Sequence, residues 1–375
     1  MSEQGQPMGA VVVGTGFGLF THVRALRNAG IEVRAIVGRD RERTAERAAP
    51  LAIPVASDDL ERVLADDPAI RLVTVATPPH AHYHPVMQAI AAGRAVMCEK
   101  PFARDLDQAR DMLAAAEKAG VVHALGAEFR FDSAQALLRR LVKDGMIGEP
   151  LMFSRIYQQP GGGDREPLAD WWTDAAQGGG FLGAFGTHMI DQVRTTLGEI
   201  VAVSAILRTL STGRPAMTSD DYYNVQFVTE NGCRGVMEAA MCFPGPFVMA
   251  TKVAGTKGAA WIQSGAAFGD PEEVWVRNAD GERRIAMPAE LVNPVPEPFA
   301  IRELIQTEMD RWHTQGFDVA PYAKLFGQIK ARIEGRTPPL PDPAGDFHDA
   351  AAGQAVLDAA RRSAAEGRWV AVEKP

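Results

Sequence analysis

Val11-Val12-Val13-Gly14-Thr15-Gly16-Phe17-Gly18 is a short apolar run that breaks on glycines and hands over to a helix-forming stretch. Three β-branched valines predict a buried strand, and Phe17–Asn28, closed by Gly30, reads as a helix. Gly14 permits a turn that a Cβ would strain. Gly16 lets the backbone approach a pyrophosphate, which the N–H groups and dipole of the helix start then hold. This is the spacing of a dinucleotide fingerprint with one irregularity. The third glycine of G-x-G-x-x-G would fall at Leu19, while an extra one stands at Gly18, so helix and strand are expected to pack in a slightly altered way. A Gly-x-Gly also serves ordinary tight turns, and the flanking pattern has to decide between the two.

That pattern alternates. Glu32–Val37, Ile53–Ala56, Ile70–Ala76, Arg94–Cys98 and Val121–Leu125 read as strands. Between them, Asp40–Ala49, Asp58–Ala65 after a Ser57 cap, His80–Ala92 before Gly93, and Leu106–Ala119 before Gly120 read as helices, and Asp105 with Gln108 makes a capping box. Helical crossovers between near-continuous apolar strands predict a doubly wound parallel sheet, the Rossmann arrangement, whose ligands bind beyond the C-terminal strand ends. The glycine turn stands at such an end. A carboxylate at the end of the second strand would bind the ribose 2′-OH of NAD, but the strand ends in Gly38-Arg39, with Arg41 and Arg43 nearby. Arg39 suits the 2′-phosphate of NADP, which is the expected cofactor. NAD stays open, because Asp40 lies within reach of a ribose and Asp40-Arg41-Glu42-Arg43 also fits a solvated first helical turn.

At 375 residues the chain exceeds one compact core, and two domains are expected. Its 39 basic and 47 acidic side chains leave a net charge of −8, which argues against nucleic acid or an anionic membrane as partner. No apolar run approaches the roughly 18 residues of a membrane span, and Met1–Gly9 lacks the pattern of a signal peptide. Cys98, Cys233 and Cys242 are odd in number and show no C-x-x-C spacing, so reduced thiols and a cytoplasmic setting are expected.

From Leu151 strands follow one another: Leu151–Gln158, Ile200–Leu210, Tyr222–Thr229, Arg234–Met241, Phe247–Ala254, Ala259–Gln263 and Glu273–Arg277. Alternation in Val225–Val228 and the turn pair Asn231-Gly232 predict a mostly antiparallel open sheet, interrupted by the helix Gly186–Leu197. Glycine runs at Gly161–Gly163, between Pro160 and Asp164, and at Gly178–Gly180 flank Trp171-Trp172-Thr173-Asp174. Those rings suit the C–H faces of a sugar, or equally a core or interface. After the proline-rich loop Pro288–Pro298, the stretches Phe299–Gln315, Tyr322–Glu334 and Phe347–Ala365 read as helices. The expected fold is α/β plus α+β: a dinucleotide-binding domain over 1–130, and a domain over 131–375 whose last helix packs near the junction.

Thr77-Pro78-Pro79-His80-Ala81-His82 and Glu99-Lys100-Pro101 each follow a predicted strand. With them stand Arg130-Phe131, Asp144-Gly145-x-Ile147-Gly148-Glu149-Pro150, Gly178-Gly179-Gly180-x-Leu182, Gly186-Thr187-His188-x-x-Asp191 and Glu366-Gly367-Arg368-Trp369. In these motifs the chain resembles the glucose-fructose oxidoreductase, inositol dehydrogenase and MocA family of NAD(P)-dependent oxidoreductases, over nearly its whole length. The resemblance implies hydride transfer between a nicotinamide and a secondary alcohol or ketone of a sugar, cyclitol or related polyol. It places Gly14, Gly16, Phe17, Gly18, Gly38, Arg39, Thr77, Pro78, His82, Glu99 and Lys100 at the cofactor, with a cis peptide often following the lysine. Lys100, Arg130, Trp171 and His188 would lie at the substrate. His80, His82 and His84 also tempt a metal reading, but in a helix start His82 would point away from the other two and no metal is expected.

The reaction needs a base for the hydroxyl proton. His188 has the right titration range, while Lys100 would polarise the oxygen. Many relatives place an aspartate where this chain has Ala184, so either His188 and Lys100 suffice or Asp191 or Asp174 supplies a carboxylate. Two rival functions share the pattern: a non-catalytic dinucleotide-binding sensor, and a redox-assisted glycosidase using bound NAD. The family's sheet also faces another subunit, which implies a homodimer or homotetramer through the C-terminal sheet.

Overall fold

The computed structural model describes residues 7–160, 170–214, 216–267, 269–295, 297, 299–306 and 308–375. The glycine run Gly161–Gly163 with Asp164, and Pro296 and Pro298 of the proline-rich loop, lie outside these described residues. Two compact units divide the chain, one running to Glu128 and resuming over Pro294–Ala351, the other comprising Phe129–Asn293 and Ala352–Pro375. The sequence expectation cut the chain once, after residue 130. The first unit is instead discontinuous because later helices return to it: Val319–Ile333 packs on the helix Val23–Asn28, and the Leu125 N–H donates to the Gly345 carbonyl at 2.9 Å.

In the first unit, β1 (Gly9–Val13), β2 (Glu32–Val37), β3 (Val55–Ser57), β4 (Ile70–Val75), β5 (Ala95–Cys98) and β6 (His123–Leu125) form one parallel sheet in the order β3-β2-β1-β4-β5-β6. Ala10–Val12 and Leu72–Val73 are wholly buried, as strands covered on both faces must be. Strand order reverses between β1 and β4, so the connections leaving their C-terminal ends diverge and open the crevice in which such sheets bind ligands. Asp40, Asp59 and Asp105 cap three of the helices by accepting from the N–H groups of Arg43, Arg62 and Gln108. Asp59 thus takes the capping role expected of Ser57, whose hydroxyl instead accepts from the Asp59 N–H at 3.0 Å. The Gln108 amide reaches back to the N–H of Arg104, one residue before the capping-box position.

The second unit is built on a nine-stranded sheet: β7 (Pro150–Pro160), β8 (Ile200–Arg208), β9 (Tyr222–Thr229), β10 (Arg234–Phe243), β11 (Val248–Gly255), β12 (Gly258–Gln263), β13 (Glu273–Asn278), β14 (Gly281–Ile285) and β15 (Val370–Ala371). Its pairs are antiparallel except β7 with β10. Phe153, Tyr223, Phe227, Met237 and Val253 point to one face and share a core with the helices Ser133–Lys143, Thr187–Leu197 and the second part of Phe347–Glu366. Of that last helix, residues 347–351 belong to the first unit and the remainder to the second. The opposite face carries the stacked rings of Trp261 and Trp275, 6.3 Å apart, and exposed Met152.

Several elements differ from the sequence reading. The helix Ser133–Lys143, capped by Asp132, and the strands β14 and β15 were not anticipated. Gly281-Glu282-Arg283-Arg284-Ile285 is an edge strand with one neighbour, so its charged side chains need no hydrophobic alternation. Phe299–Gln315 is helical only over Arg302–Leu304 and Glu308–His313, with Thr307 outside the described residues.

Candidate active-site residues

The glycine turn is held by its lack of side chains. Gly14 has φ +119°, and a Cβ there would lie 2.5 Å from the Ala76 carbonyl. Its N–H continues the sheet by donating to Val37 O at 2.8 Å. A Cβ on Gly16 would meet no protein atom within 4 Å, which leaves that side of the turn open. On Gly18 it would lie 2.8 Å from Val12 Cγ1 and 3.1 Å from Ala76 Cβ. Gly18 therefore makes the close helix–strand contact usually left to a third glycine, one residue early, and the helix opens with a widened π turn over Gly18–His22. The turn is also braced from below, since buried Arg47 donates from Nε to Thr15 O at 3.0 Å, from Nη1 to Gln306 at 2.9 Å and from Nη2 to Asp310 at 3.2 Å. Sequence reading missed Arg47, whose only signal is an arginine beside apolar Ala48 on a short helix.

The Phe17 ring turns into protein, edge-on to His22, His313 and Tyr322 at 5.1–5.7 Å between centroids. At Gly38 a Cβ would lie 2.3 Å from Thr44 Oγ1 and 2.9 Å from Thr15 Cγ2, so the structure has no room for an acid there. Asp40 is engaged as a helix cap, accepting from Arg43 N–H at 2.8 Å, while Arg39 is exposed.

After β4, Pro78 is extended, and the Thr77 hydroxyl is buried without a protein partner. His82 is wholly buried, with Nε2 2.7 Å from Thr77 O and Nδ1 3.2 Å from Phe102 O. Burial pushes its pKa down, against the pull of those carbonyls. Its ring ties the Thr77–His82 loop to the segment after Pro101, so it acts on the site through the backbone. His80 and His84 are exposed, unlike His82.

After β5, the Lys100–Pro101 bond is cis. Glu99 is buried, and its Oε1 accepts from His22 Nε2 at 3.1 Å and from the Tyr322 hydroxyl at 2.5 Å. Burial opposes its ionisation, but those hydrogen bonds and the charges of His22 and Lys100 outweigh it and hold its carboxyl below the usual range. The Lys100 ammonium also acts on Glu128, His313 and Asp318. Burial drives Glu128 well up, His313 down to about 4 and Asp318 up to about 6, and the nearby ammonium tempers both carboxyl shifts.

In the second unit, the Arg130 and Asp191 side chains grip each other: Nε to Oδ2 at 2.8 Å and Nη2 to Oδ1 at 2.5 Å, both residues buried. Asp191, proposed from sequence as a catalytic carboxylate, and Arg130, proposed as a substrate contact, thus form a bidentate ion pair. Asp174 accepts from Ala176 N–H and Gln177 Nε2, both at 2.9 Å. His188 stacks on Phe129 at 4.1 Å, and Ala184 is buried in the π turn Leu182–Gly186 just before it. Trp171 is half-buried, its ring 5.6 Å from that of Trp172, which packs on the core. Sequence reading also missed buried Arg155, which donates to Gln192 at 2.7 Å and Thr251 at 3.1 Å.

The groups at the sheet edge of the first unit fit a dinucleotide: an open Gly16, a buried Thr77 hydroxyl lacking a partner, and a helix that begins directly after the glycine turn. Comparison with known proteins points the same way. Residues 8–127 match the oxidoreductase family with the NAD-binding Rossmann fold, and residues 136–261 match the GFO/IDH/MocA C-terminal domain. Levoglucosan dehydrogenase of Pseudarthrobacter phenanthrenivorans is 33% identical over 187 residues, 49% of this chain and 48% of that enzyme, so the match spans about half of that relative. Glucose-fructose oxidoreductase domain-containing protein 1 of Mus musculus is 25% identical over 96% of this chain and 91% of its own length. The solved structure of a levoglucosan dehydrogenase in complex with NADH and levoglucosan superimposes with a TM-score of 0.81 at 25% identity, covering 99% of this chain and 100% of that one.

Proposed function

This chain belongs to the GFO/IDH/MocA family of NAD-binding oxidoreductases, and from that premise we propose that it transfers a hydride between NAD(P) and a secondary alcohol or ketone of a sugar, cyclitol or related polyol. The observation that carries the reading is the C-terminal edge of the parallel sheet, where Gly14–Gly18, Thr77 and Lys100 follow β1, β4 and β5 around the reversal of strand order. Gly16 and the helix start would hold the pyrophosphate in a turn shaped by Gly14 and Gly18, and Thr77 would offer its hydroxyl. His82 and Glu99 position the loops. A bound nicotinamide supplies the hydride acceptor at its C4. Lys100 polarises the substrate oxygen and His188 takes the hydroxyl proton, a division of labour supported by the family motifs in which each stands.

Three finer assignments follow. NADP is the preferred dinucleotide, because Gly38 leaves no room for a ribose-binding acid, Asp40 is engaged as a cap, and Arg39 is exposed to meet a 2′-phosphate; NAD remains the alternative. The assembly is a homodimer or homotetramer through the outer face of the nine-stranded sheet, supported by the Trp261–Trp275 stack and by Met152, 67% exposed. The setting is cytoplasmic, in keeping with Cys98, Cys233 and Cys242 as thiols; among the described residues no helix is long and apolar enough to cross a membrane.

The test is a panel of sugars, polyols and glycosides offered with NAD and with NADP, following reduced-nicotinamide absorbance and glycoside cleavage together. Reduction with a polyol supports the reading. Cleavage without net reduction would mark a redox-assisted glycosidase, and dinucleotide binding with no turnover on any member would mark a sensor.

A further inference from the structure

We propose that His22 and Tyr322 are positioning residues that act on Lys100 through Glu99, an inference that rests on the reading that Lys100 touches the substrate oxygen. Glu99 directly precedes Lys100 at the end of β5, and its carboxylate is gripped at both oxygens. Oε1 receives His22 Nε2 at 3.1 Å and the Tyr322 phenol at 2.5 Å, while Oε2 receives the Lys100 backbone N–H at 3.3 Å. His22 is tied in turn through Nδ1 to Thr74 Oγ1 at 3.3 Å. The lack of a side chain at Gly126, where a Cβ would lie 2.4 Å from Oε1, leaves space for the carboxylate.

The two side-chain donors come from separate elements, the π turn after the glycine loop and a helix near the far end of the chain, while β4 supplies the hydroxyl that holds His22. Holding a carboxylate ionised away from water is unfavourable unless another charge uses it. The charges of His22 and Lys100 favour the ionised Glu99, and its Oε2 holds the Lys100 backbone N–H. The other titratable groups on which the Lys100 ammonium acts are Glu128, His313 and Asp318; burial drives both of those carboxyls up, Asp318 to about 6, so Glu99 is the first of the three carboxyls to ionise as pH rises. Fixing Glu99 therefore fixes the backbone from which the Lys100 side chain springs and the negative charge placed beside it.

The experiment reads Lys100 directly in the full chain with neither cofactor nor substrate added: competitive acetylation across pH, quantified on the Lys100 peptide by mass spectrometry. Glu99→Gln keeps the shape of the side chain and removes the charge. Tyr322→Phe keeps the ring that packs on Phe17, His22 and Phe326 and removes only the donor. With circular dichroism showing both variants folded, Glu99→Gln should lower the midpoint of Lys100 reactivity by about one pH unit, and Tyr322→Phe should lower it by less. The same displacement should appear in the pH profile of kcat. Midpoints within about 0.2 unit of the wild type in both folded variants would overturn the inference. Because acetylation needs no turnover, a displaced midpoint in a protein that oxidises no polyol would support the positioning role while refuting the substrate reading. Normal polyol turnover with unmoved midpoints would refute the positioning role alone.

Discussion

Replacing Asp191 by asparagine separates the two roles open to that residue. The carboxylate lies in the fork of Arg130, two N–H···O bonds of 2.8 and 2.5 Å, with Arg130 3% and Asp191 6% exposed. Asparagine is nearly isosteric but neutral, so the change leaves a guanidinium buried without its counter-charge. Removing one partner of a buried pair costs roughly 3–5 kcal/mol. In a unit of this size each kcal/mol moves Tm by roughly 2–4 °C, so the melting temperature should fall by roughly 6–20 °C. Thermal melts followed by circular dichroism provide the assay, with urea titration as a check on the size of the loss. The double variant Arg130→Met/Asp191→Leu should recover most of it, because it removes both charges together and fills the space with apolar groups. If Asp191→Asn melts within about 2 °C of the wild type yet loses turnover by about 10²-fold, the carboxylate belongs to the chemistry and the ion-pair reasoning is wrong.

Gly16→Val places a branched side chain where no protein atom lies within 4 Å, so it should keep Tm and abolish calorimetric binding of the dinucleotide; unchanged affinity would move the pyrophosphate elsewhere. Arg39→Ser should weaken NADP by about tenfold or more and spare NAD, since a charge-assisted contact contributes roughly 1.5–3 kcal/mol; equal loss for both dinucleotides would remove Arg39 from the 2′-phosphate. Lys100→Met and His188→Asn should each lower kcat/KM by roughly 10²-fold or more without changing dinucleotide affinity, and near-normal turnover in His188→Asn would send the proton by another route, with Lys100 the next candidate. Burial holds the Asp318 carboxyl up at about 6 against the usual 3.8, so ionising it costs stability as pH rises through about 6, and the cost vanishes below the lower value. Asp318→Asn should therefore raise Tm relative to the wild type at about pH 8 and lose that advantage at about pH 3.5, whereas an equal gain at both would show that charge is not the cause.

The parallel sheet was legible because its code is local: Val11–Val13, buried on both faces, can only be apolar, and the glycines that follow answer to atoms a few residues away. Gly18 illustrates the limit. Its presence announced altered packing, but the π turn that accommodates it emerges only once Val12 and Ala76 stand opposite. Side-chain pairing across long separations left no trace in the sequence. Arg130 and Asp191 are 61 residues apart, and each alone looks like a group waiting for substrate. His82 read as a cofactor contact from its motif, whereas its two ring nitrogens face carbonyls that tie two loops together. The edge strand β14 escaped because charged residues suit an edge and break the alternation on which strand reading depends.

The discontinuity of the first unit follows from what its ligand edge requires. Loops leaving the C-terminal ends of parallel strands are tied to their own strands and little else, yet the turn and the lysine proposed for cofactor and substrate would have to be held to within fractions of an ångström. The segment Pro294–Ala351 supplies the missing ties: Gln306 and Asp310 engage the guanidinium that grips Thr15 O, Tyr322 donates to Glu99 from 223 residues away, and Lys330 Nζ donates to Gly30 O at 2.7 Å, where the first helix ends. Cut at Glu128, the chain would keep every strand of the sheet and the whole glycine motif. It would leave Arg47 without its carboxylate and Glu99 without its phenol. The sheet is thus encoded in the first third of the sequence, whereas the ties that brace its C-terminal edge are encoded near the end, and the Phe129–Asn293 part of the second unit is inserted between the two parts of the first.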